Sequence, residues 1–118
     1  MKVKYATIAV ADMEESVRFY SQILGLEIAS RHHPRPGLNI TLLKGEGDAM
    51  VELIEDRETP RKPGLFSVGM EVEDIEAKVE ELESRGARIT LRPTPITVGT
   101  IALLEDPNGA QVALIQHR

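Results

Sequence analysis

An internal repeat constrains the fold of this chain more than any other feature. Residues 10–14 (Val-Ala-Asp-Met-Glu) lie over residues 72–76 (Val-Glu-Asp-Ile-Glu) at an offset of 62. One residue is then lost in the second copy, so that Gly25 meets Gly86 at an offset of 61. The run Val-Glu-Leu-Ile at 51–54 meets Val-Ala-Leu-Ile at 112–115 at the same offset. Because a cap, a glycine stop and a closing apolar run recur in order, the pattern indicates a duplicated unit.

Each copy predicts the order strand, helix, strand, strand, strand. In the first copy, Asp12 is a typical helix N-cap, Glu15 completes a capping box, and Gly25 ends the helix. The predicted buried helix positions are Met13, Val17, Tyr20 and Leu24 in the first copy, and Ile75, Val79 and Leu82 in the second. The predicted strands are 2–10, 26–30, 38–44 and 49–55, then 67–73, 87–91, 100–105 and 110–116. Residues 31–37 are expected to form a loop or edge excursion, and residues 93–99 a loop, because both segments carry prolines.

These elements predict an α+β protein built from two tandem βαβββ modules within one domain, residues 1–118. Module one covers about residues 1–56, and module two covers about residues 65–118. Residues 57–64 between them are rich in charge and proline, which is typical of a linker.

Composition excludes several classes of function. The chain of 118 residues has no cysteine, so that disulfides, thiolate metal sites and thiol nucleophiles are excluded. The net charge of −5 and the absence of a long basic run argue against nucleic-acid binding. No apolar run approaches the length of a membrane span, and no signal pattern is found, so we expect a cytoplasmic protein.

Glu52 is the residue of greatest functional interest, because it is a carboxylate in the otherwise apolar strand Met-Val-Glu-Leu-Ile at 50–54. By the alternation of a strand, Glu52 lies on the face opposite Val51 and Leu53. Burying an unpaired carboxylate is costly, so Glu52 must face water, a partner charge, a metal or a ligand. If the two sheets curl toward each other, their corresponding faces line a shared cavity, the usual place for a small ligand. The candidate ligand-binding residues on these faces are Tyr5, Thr7, Glu52, Ser67, Glu71 and Ala113.

The chain resembles the vicinal oxygen chelate superfamily, which includes glyoxalases, extradiol dioxygenases, epimerases and the bleomycin-resistance proteins. The resemblance extends over the whole chain. It rests on Val-Ala-Asp at 10–12, Ser-Val-Arg-Phe-Tyr at 16–20, Leu-Gly-Leu at 24–26, Val-Glu-Leu at 51–53 and Glu-Asp-Pro-Asn-Gly at 105–109. It implies curved sheets around a cavity that a homodimer completes, with a single copy closing its own cavity as the alternative.

The resemblance also implies where a metal would be held. Metal-using members place four ligands, typically His and Glu, at positions that correspond to Tyr5, Glu52, Ser67 and Ala113. Of these only Glu52 has a usual ligand side chain, so it is the only candidate metal ligand. The resulting prediction is a metal-independent binding protein of the bleomycin-resistance type without a cofactor, and binding is favoured over catalysis. It would capture a small organic ligand, and Glu52 with Glu71 would favour a cationic one.

Other interpretations stay open at this stage. The chain could be a glyoxalase-like lyase, isomerase or dioxygenase that uses a divalent metal at a noncanonical site with Glu52, or that uses Glu52 as a metal-free base. A partner-binding subunit with a vestigial cavity is a third possibility. Glu52 could also be a solvated strand residue, Glu71 an exposed residue at a strand end, and Tyr5 ordinary core. His32 and His33 are predicted to lie in a loop without a chemical role, and His117 in a frayed C-terminus.

Overall fold

The predicted order of elements is found twice along the chain. The computed structural model describes residues 1–118, which divide into two compact units. Residues 5–66 form the unit called N-terminal here, and residues 1–4 with 67–118 form the C-terminal unit. Each unit has one helix and four paired strands in the order βαβββ, so the α+β fold class with tandem modules is confirmed. None of the helices combines the length and apolarity that crossing a membrane requires.

The N-terminal unit is built on a four-stranded sheet. Its elements are β1 (Lys2–Ala9), which belongs to this unit from Tyr5 onward, α1 (Met13–Arg18), β2 (Glu27–Arg35), β3 (Leu38–Lys44) and β4 (Met50–Asp56). The spatial order is β2-β3-β4-β1, in which β1 runs parallel to β4 and the other pairs are antiparallel. The core lies between α1 and one face of this sheet and is formed by Met13, Val17, Leu43 and Leu53.

The C-terminal unit repeats this arrangement. Its elements are β5 (Gly64–Glu71), which belongs to this unit from Ser67 onward, α2 (Ile75–Ser84), β6 (Arg88–Ile96), β7 (Gly99–Glu105) and β8 (Gln111–His117). The spatial order is β6-β7-β8-β5, with β5 parallel to β8. Its core contains Val72, Ile75, Val79, Ala102 and Leu114.

Matched hydrogen bonds at the helix starts show that the repeat is structural as well as sequential. Asp12 and Asp74 cap the two helices, each accepting a hydrogen bond at 3.1 Å from the backbone N–H three residues later. The first N–H of each helix is bound by the last strand of its own unit. Met13 N donates to Glu55 Oε2 at 2.9 Å, and Ile75 N donates to Gln116 Oε1 at 2.8 Å.

Three details differ from the sequence-based expectations. The first helix is α-helical only through Arg18, and Phe19–Ile23 form a π-helical turn that leaves Leu24 exposed. Strand β2 continues through residues 31–35, and β6 continues to Ile96, so most of both proline-containing segments is strand. Both strands lie at the edge of their unit's sheet, where a proline can be accommodated because no neighbouring strand needs the missing N–H as a hydrogen-bond donor.

Candidate functional site

Glu52 and Thr7 form a polar pair on the face of the N-terminal sheet that is opposite α1. The two residues are in register on the parallel strands β4 and β1, and the Thr7 hydroxyl donates to Glu52 Oε1 at 2.7 Å. Thr7 is buried and Glu52 is half-buried. Their strand neighbours Val51, Leu53 and Ile8 point to the opposite side and pack with α1. The carboxylate is therefore oriented by a hydroxyl, and its second oxygen makes no hydrogen bond within the chain.

Tyr5 lies two residues before Thr7 on the same strand. It is in register with Met50 of β4, so both side chains share the face that carries Glu52. Tyr5 is half-buried and takes part in further interactions. The structure thus brings together Tyr5, Thr7 and Glu52, the three candidate residues of the N-terminal unit.

The remaining three candidates lie in the C-terminal unit. Ser67 and Ala113 are buried, and Ala113 is in register with Gly69 rather than with a polar residue. Glu71 is half-buried, with its Oε2 only 2.7 Å from Nδ1 of His117. The structure therefore places Ser67, Glu71 and Ala113 on neighbouring strands, but it gives Glu71 a basic partner that the sequence did not suggest.

His117 was expected to lie in a frayed C-terminus, and that expectation is wrong. The residue ends β8 in register with Gly99, and its imidazole lies against Glu71. The two side chains line a cleft of about 750 Å³ beside α2, together with Glu73, Asp74 and Glu81. The missed signal was the alternation of β8, which places His117 on the same face as Ala113.

His32 and His33 also lie in a strand rather than in the predicted loop. His32 Nε2 is 2.9 Å from Ser30 Oγ, and His33 Nδ1 is 2.7 Å from Asn39 Oδ1. Both rings are exposed, and each is paired with a neutral polar side chain. Both residues line a cleft of about 300 Å³ with Asn39, but they belong to no group of three side chains that could hold a metal ion.

The side chains of each unit provide a poor donor set for a divalent metal. The face that carries Glu52 adds only Tyr5 and Thr7, which are neutral oxygen groups, and the corresponding positions in the C-terminal unit are Ser67 and Ala113. No group of three or more His, Asp or Glu side chains is arranged to hold a metal ion. Since a structural or catalytic ion prefers three or four imidazole or carboxylate ligands, the residues at these positions do not fit one.

Relatives of the chain carry enzyme names. It is 27% identical to a probable lactoylglutathione lyase of Vibrio cholerae, over 99% of this chain and 91% of the relative. It is 30% identical to a probable lactoylglutathione lyase of Synechocystis, over 98% of this chain and 95% of the relative.

Solved structures share the fold. A hypothetical protein of Bacillus halodurans superposes with a TM-score of 0.87 at 22% identity, covering 99% of this chain and 94% of that one. Methylmalonyl-CoA epimerase of Mycobacterium tuberculosis superposes with a TM-score of 0.84 at 22% identity, covering 99% and 88%.

These comparisons contradict two predictions made from the sequence. The relatives that match nearly the whole chain are named lactoylglutathione lyase, a metal-dependent enzyme, so the prediction of a metal-independent binding protein is wrong, and so is the prediction that no cofactor is used. The alternative, a glyoxalase-like metal-dependent enzyme, agrees better with the names of the relatives. The physical reason is that the neutral side chains of Tyr5, Ser67 and Ala113 remove metal ligands from these positions but leave the Glu52 carboxylate, which can still transfer a proton.

The family itself is shown by the sequence as a whole. The profile of one family matches residues 2–114, which is nearly the full length. The chain therefore belongs to the Glyoxalase/Bleomycin resistance protein/Dioxygenase superfamily.

Proposed function

We propose that the chain is an enzyme of the lyase or isomerase class that transfers a proton on a small carbonyl compound, with Glu52 as the proton-transferring group. The observation that carries this proposal is the Thr7–Glu52 pair. It is a half-buried carboxylate, oriented by a hydroxyl at 2.7 Å, on the sheet face that the helix leaves uncovered. A base used in catalysis must be held in position and must keep an oxygen available for the substrate, and Glu52 meets both conditions.

The division of labour between the two oxygens of Glu52 suggests how a proton would move. Thr7 donates its hydroxyl proton to Oε1 and fixes the plane of the carboxylate. Oε2 can then accept a proton from a substrate carbon and return it to the same or a neighbouring carbon. Because Thr7 is buried, water competes poorly for the hydroxyl, which keeps the carboxylate in one orientation.

The names of the relatives support a class of substrate. Lactoylglutathione and methylmalonyl-CoA are both acyl thioesters with a hydrogen on the carbon beside the thioester carbonyl. That hydrogen is acidic enough for a positioned carboxylate to remove it, since the carbonyl delocalises the resulting charge. We therefore propose an acyl thioester, or a carbonyl adduct that is converted into one, as the substrate of this chain.

Assembly and location complete the proposal. Members of the family bind small-molecule substrates and commonly dimerise. We propose that this chain forms a homodimer and acts in the cytoplasm, as expected from its sequence. No step is assigned to a metal ion, because the side chains of neither unit form a donor set for one.

Hydrogen exchange tests the proposal directly. The protein is incubated in D₂O with S-lactoylglutathione or methylmalonyl-CoA, with and without added Ni²⁺, Co²⁺ or Zn²⁺, and loss of the carbon-bound proton signal is followed by NMR. We expect exchange with at least one thioester, a reduction of at least about 100-fold in Glu52→Gln, and a smaller reduction in Thr7→Val.

A control is available on another strand of the same sheet. Glu27 is an exposed carboxylate on β2, the strand at the edge of this sheet. Glu27→Gln is expected to retain exchange within a few-fold of the wild-type rate. Exchange that survives Glu52→Gln, or the absence of exchange under every metal condition, would contradict the proposal.

A further inference from the structure

A second cleft lies next to the Thr7–Glu52 pair in the N-terminal unit. It has a volume of about 390 Å³ and is lined in part by Ala9 and Ile54, which are in register on β1 and β4. These residues follow Thr7 and Glu52 by two positions and so share their face of the sheet. Two residues of strand advance about 7 Å, so the cleft begins about that far from the carboxylate.

The acidic residues that line this cleft are already paired. Asp56 Oδ2 accepts from Arg35 at 2.6 Å, and Asp56 Oδ1 accepts from the backbone N–H groups of Glu58 and Thr59. Glu55 accepts from Met13 N and Asn39. Neither carboxylate is therefore available to neutralise another cation in the cleft.

The two arginines that line the cleft, Arg57 and Arg61, differ in whether they have an ion-pair partner. Arg57 is exposed and has a partner, with its Nε 3.3 Å from Glu55 Oε1. Arg61 is half-buried and forms no ion pair, and its Nη1 is shielded from solvent without any hydrogen-bond acceptor. A buried donor of a charged group without an acceptor is costly, so a small shift of the guanidinium toward an acceptor supplied by a ligand would be favoured here.

Phe66 holds the Arg61 guanidinium in place. The carbon at the centre of the guanidinium lies 4.6 Å from the centroid of the Phe66 ring. A guanidinium stacked on an aromatic face directs its N–H groups outward in its own plane, and two of them on one edge can bind a planar anion through two parallel hydrogen bonds. The stacking thus limits the conformational freedom that binding would otherwise remove.

We propose that Arg61 binds an anionic oxygen group of the substrate, a carboxylate or a phosphate, in this cleft. The inference rests on the proposed function, because it assigns the reacting carbon to Glu52 and the anionic end of the same molecule to Arg61. It restricts the substrate to thioesters or carbonyl compounds that carry a negative group a short distance from the reacting carbon. Arg61 is thus a specificity-determining residue rather than a catalytic one.

Binding of small anions tests this assignment without any need for turnover. Malonate and inorganic phosphate are titrated at low ionic strength into ¹⁵N-labelled protein, with uncharged malonamide as the comparison, and the arginine Nε–Hε signals are followed by NMR. We expect malonate or phosphate to shift the Arg61 signal, and malonamide to leave it unchanged. Whichever of the two anions binds with the higher affinity indicates whether the substrate group is a carboxylate or a phosphate.

Two substitutions separate a specific site from a general positive field. Arg61→Met keeps an apolar stem over Phe66 and is expected to weaken binding of the better anion at least about tenfold. Arg57→Met removes a positive charge from the same cleft and is expected to weaken binding less than about threefold. Circular dichroism and thermal unfolding establish that both variants are folded. If Arg61→Met does not fold, the shift of the Arg61 signal in the wild-type protein and the binding to Arg61→Lys decide the question.

The outcomes distinguish this inference from the proposed function. An equal effect of the two substitutions, equal binding of malonamide, or an unmoved Arg61 signal would overturn the role of Arg61. Glu52→Gln is expected to bind the anion as well as the wild-type protein does. If anion binding persists at Arg61 while no thioester exchanges its proton, the chemistry proposed for Glu52 fails and the anion site stands.

Discussion

Replacing Glu55 by leucine should destabilise the protein more than the matching replacement of Gln116. The two residues occupy equivalent positions in the repeat, and each binds the first N–H of its unit's helix. Glu55 also accepts a hydrogen bond from Asn39 Nδ2 at 2.9 Å and forms an ion pair with Arg57. Gln116 is neutral, so the pair compares a charged and an uncharged form of the same structural role.

The expected magnitudes follow from the donors that lose an acceptor. Each buried donor left without one costs about 1–3 kcal/mol. Gln116→Leu leaves only the Ile75 N–H without an acceptor, so it should lower the free energy of unfolding by about 1–2 kcal/mol. Glu55→Leu leaves both the Met13 N–H and the half-buried Asn39 amide without an acceptor, so it should lower the free energy of unfolding by about 2–4 kcal/mol. Leucine is similar in volume to both residues, so the cavity left behind adds little.

The pH dependence distinguishes the two positions. Burial by itself raises the pKa of Glu55, but hydrogen bonds from Met13 N–H and Asn39 and the charge of Arg57 outweigh it, and the pKa lies below its ordinary 4.5. Folding therefore releases protons from Glu55 at acidic pH, and stability rises with pH in this range. The contribution of the charge is complete above about pH 4.5 and is lost as the pH falls below it. Gln116 has no titrating group and should show no such change.

Urea unfolding followed by circular dichroism at pH 7 and pH 3 measures both effects. The difference in free energy of unfolding between wild type and Glu55→Leu should be smaller at pH 3 than at pH 7, and the difference for Gln116→Leu should be the same at both. Glu55→Gln, which keeps an acceptor for Met13 N, should lie between wild type and Glu55→Leu at pH 7. A Glu55→Leu protein within 0.5 kcal/mol of wild type, or one less affected than Gln116→Leu, would refute the reasoning.

Three further predictions concern ionisation, backbone geometry and assembly. Arg35→Met should raise the pKa of Asp56 from about 2 toward its ordinary 3.8, because the hydrogen bond from Arg35 is the largest cause of the lowered pKa. A titration followed by carboxyl ¹³C NMR would measure this change. Gly99→Ala should unfold the protein or lower its melting temperature severely, because Gly99 has φ +156° and a Cβ there would overlap the Gln116 carbonyl oxygen. Gly109→Ala is the control and should lower the melting temperature much less, because nothing lies near a Cβ at that position. Sedimentation equilibrium should give twice the mass of the chain if the proposed homodimer forms, and a monomer at every concentration would contradict it.

The sequence predicted the repeat and its single-residue irregularity, but not how the irregularity is accommodated. The offset changes from 62 to 61 between Val17 and Gly25, so the first copy has one extra residue in that segment. The structure absorbs it in the π-helical turn Phe19–Ile23, where Leu24 N bonds to Phe19 O, five residues back, at 3.0 Å. A π turn accommodates one additional residue without breaking the helix. Helical spacing alone could not show this, because it assumes 3.6 residues per turn throughout.

Strand ends and pairing partners were less accessible from the sequence. Pro34 and Pro95 indicated loops, but both lie in strands that pair with only one neighbour in their unit's sheet, where a missing N–H costs little. The partner of Glu71 could not be predicted, since His117 is 46 residues away along the chain and meets it only because β5 and β8 pair. Arg61 was likewise hidden, because an unpaired donor is a property of packing rather than of sequence.

The proposed chemistry of the chain is confined to one of the two repeated units. The Thr7–Glu52 pair of the N-terminal unit corresponds, at the offsets of the repeat, to Gly69 and Ala113, which are in register on β5 and β8. Both units keep the same strand pairing, the same helix caps and the same bond to the first helical N–H, so the scaffold constrains these positions equally. Neither glycine nor alanine can donate or accept a proton through its side chain. A proton-transfer reaction at these positions must therefore use Glu52, which makes Glu52→Gln, rather than any change at Ala113, the decisive substitution.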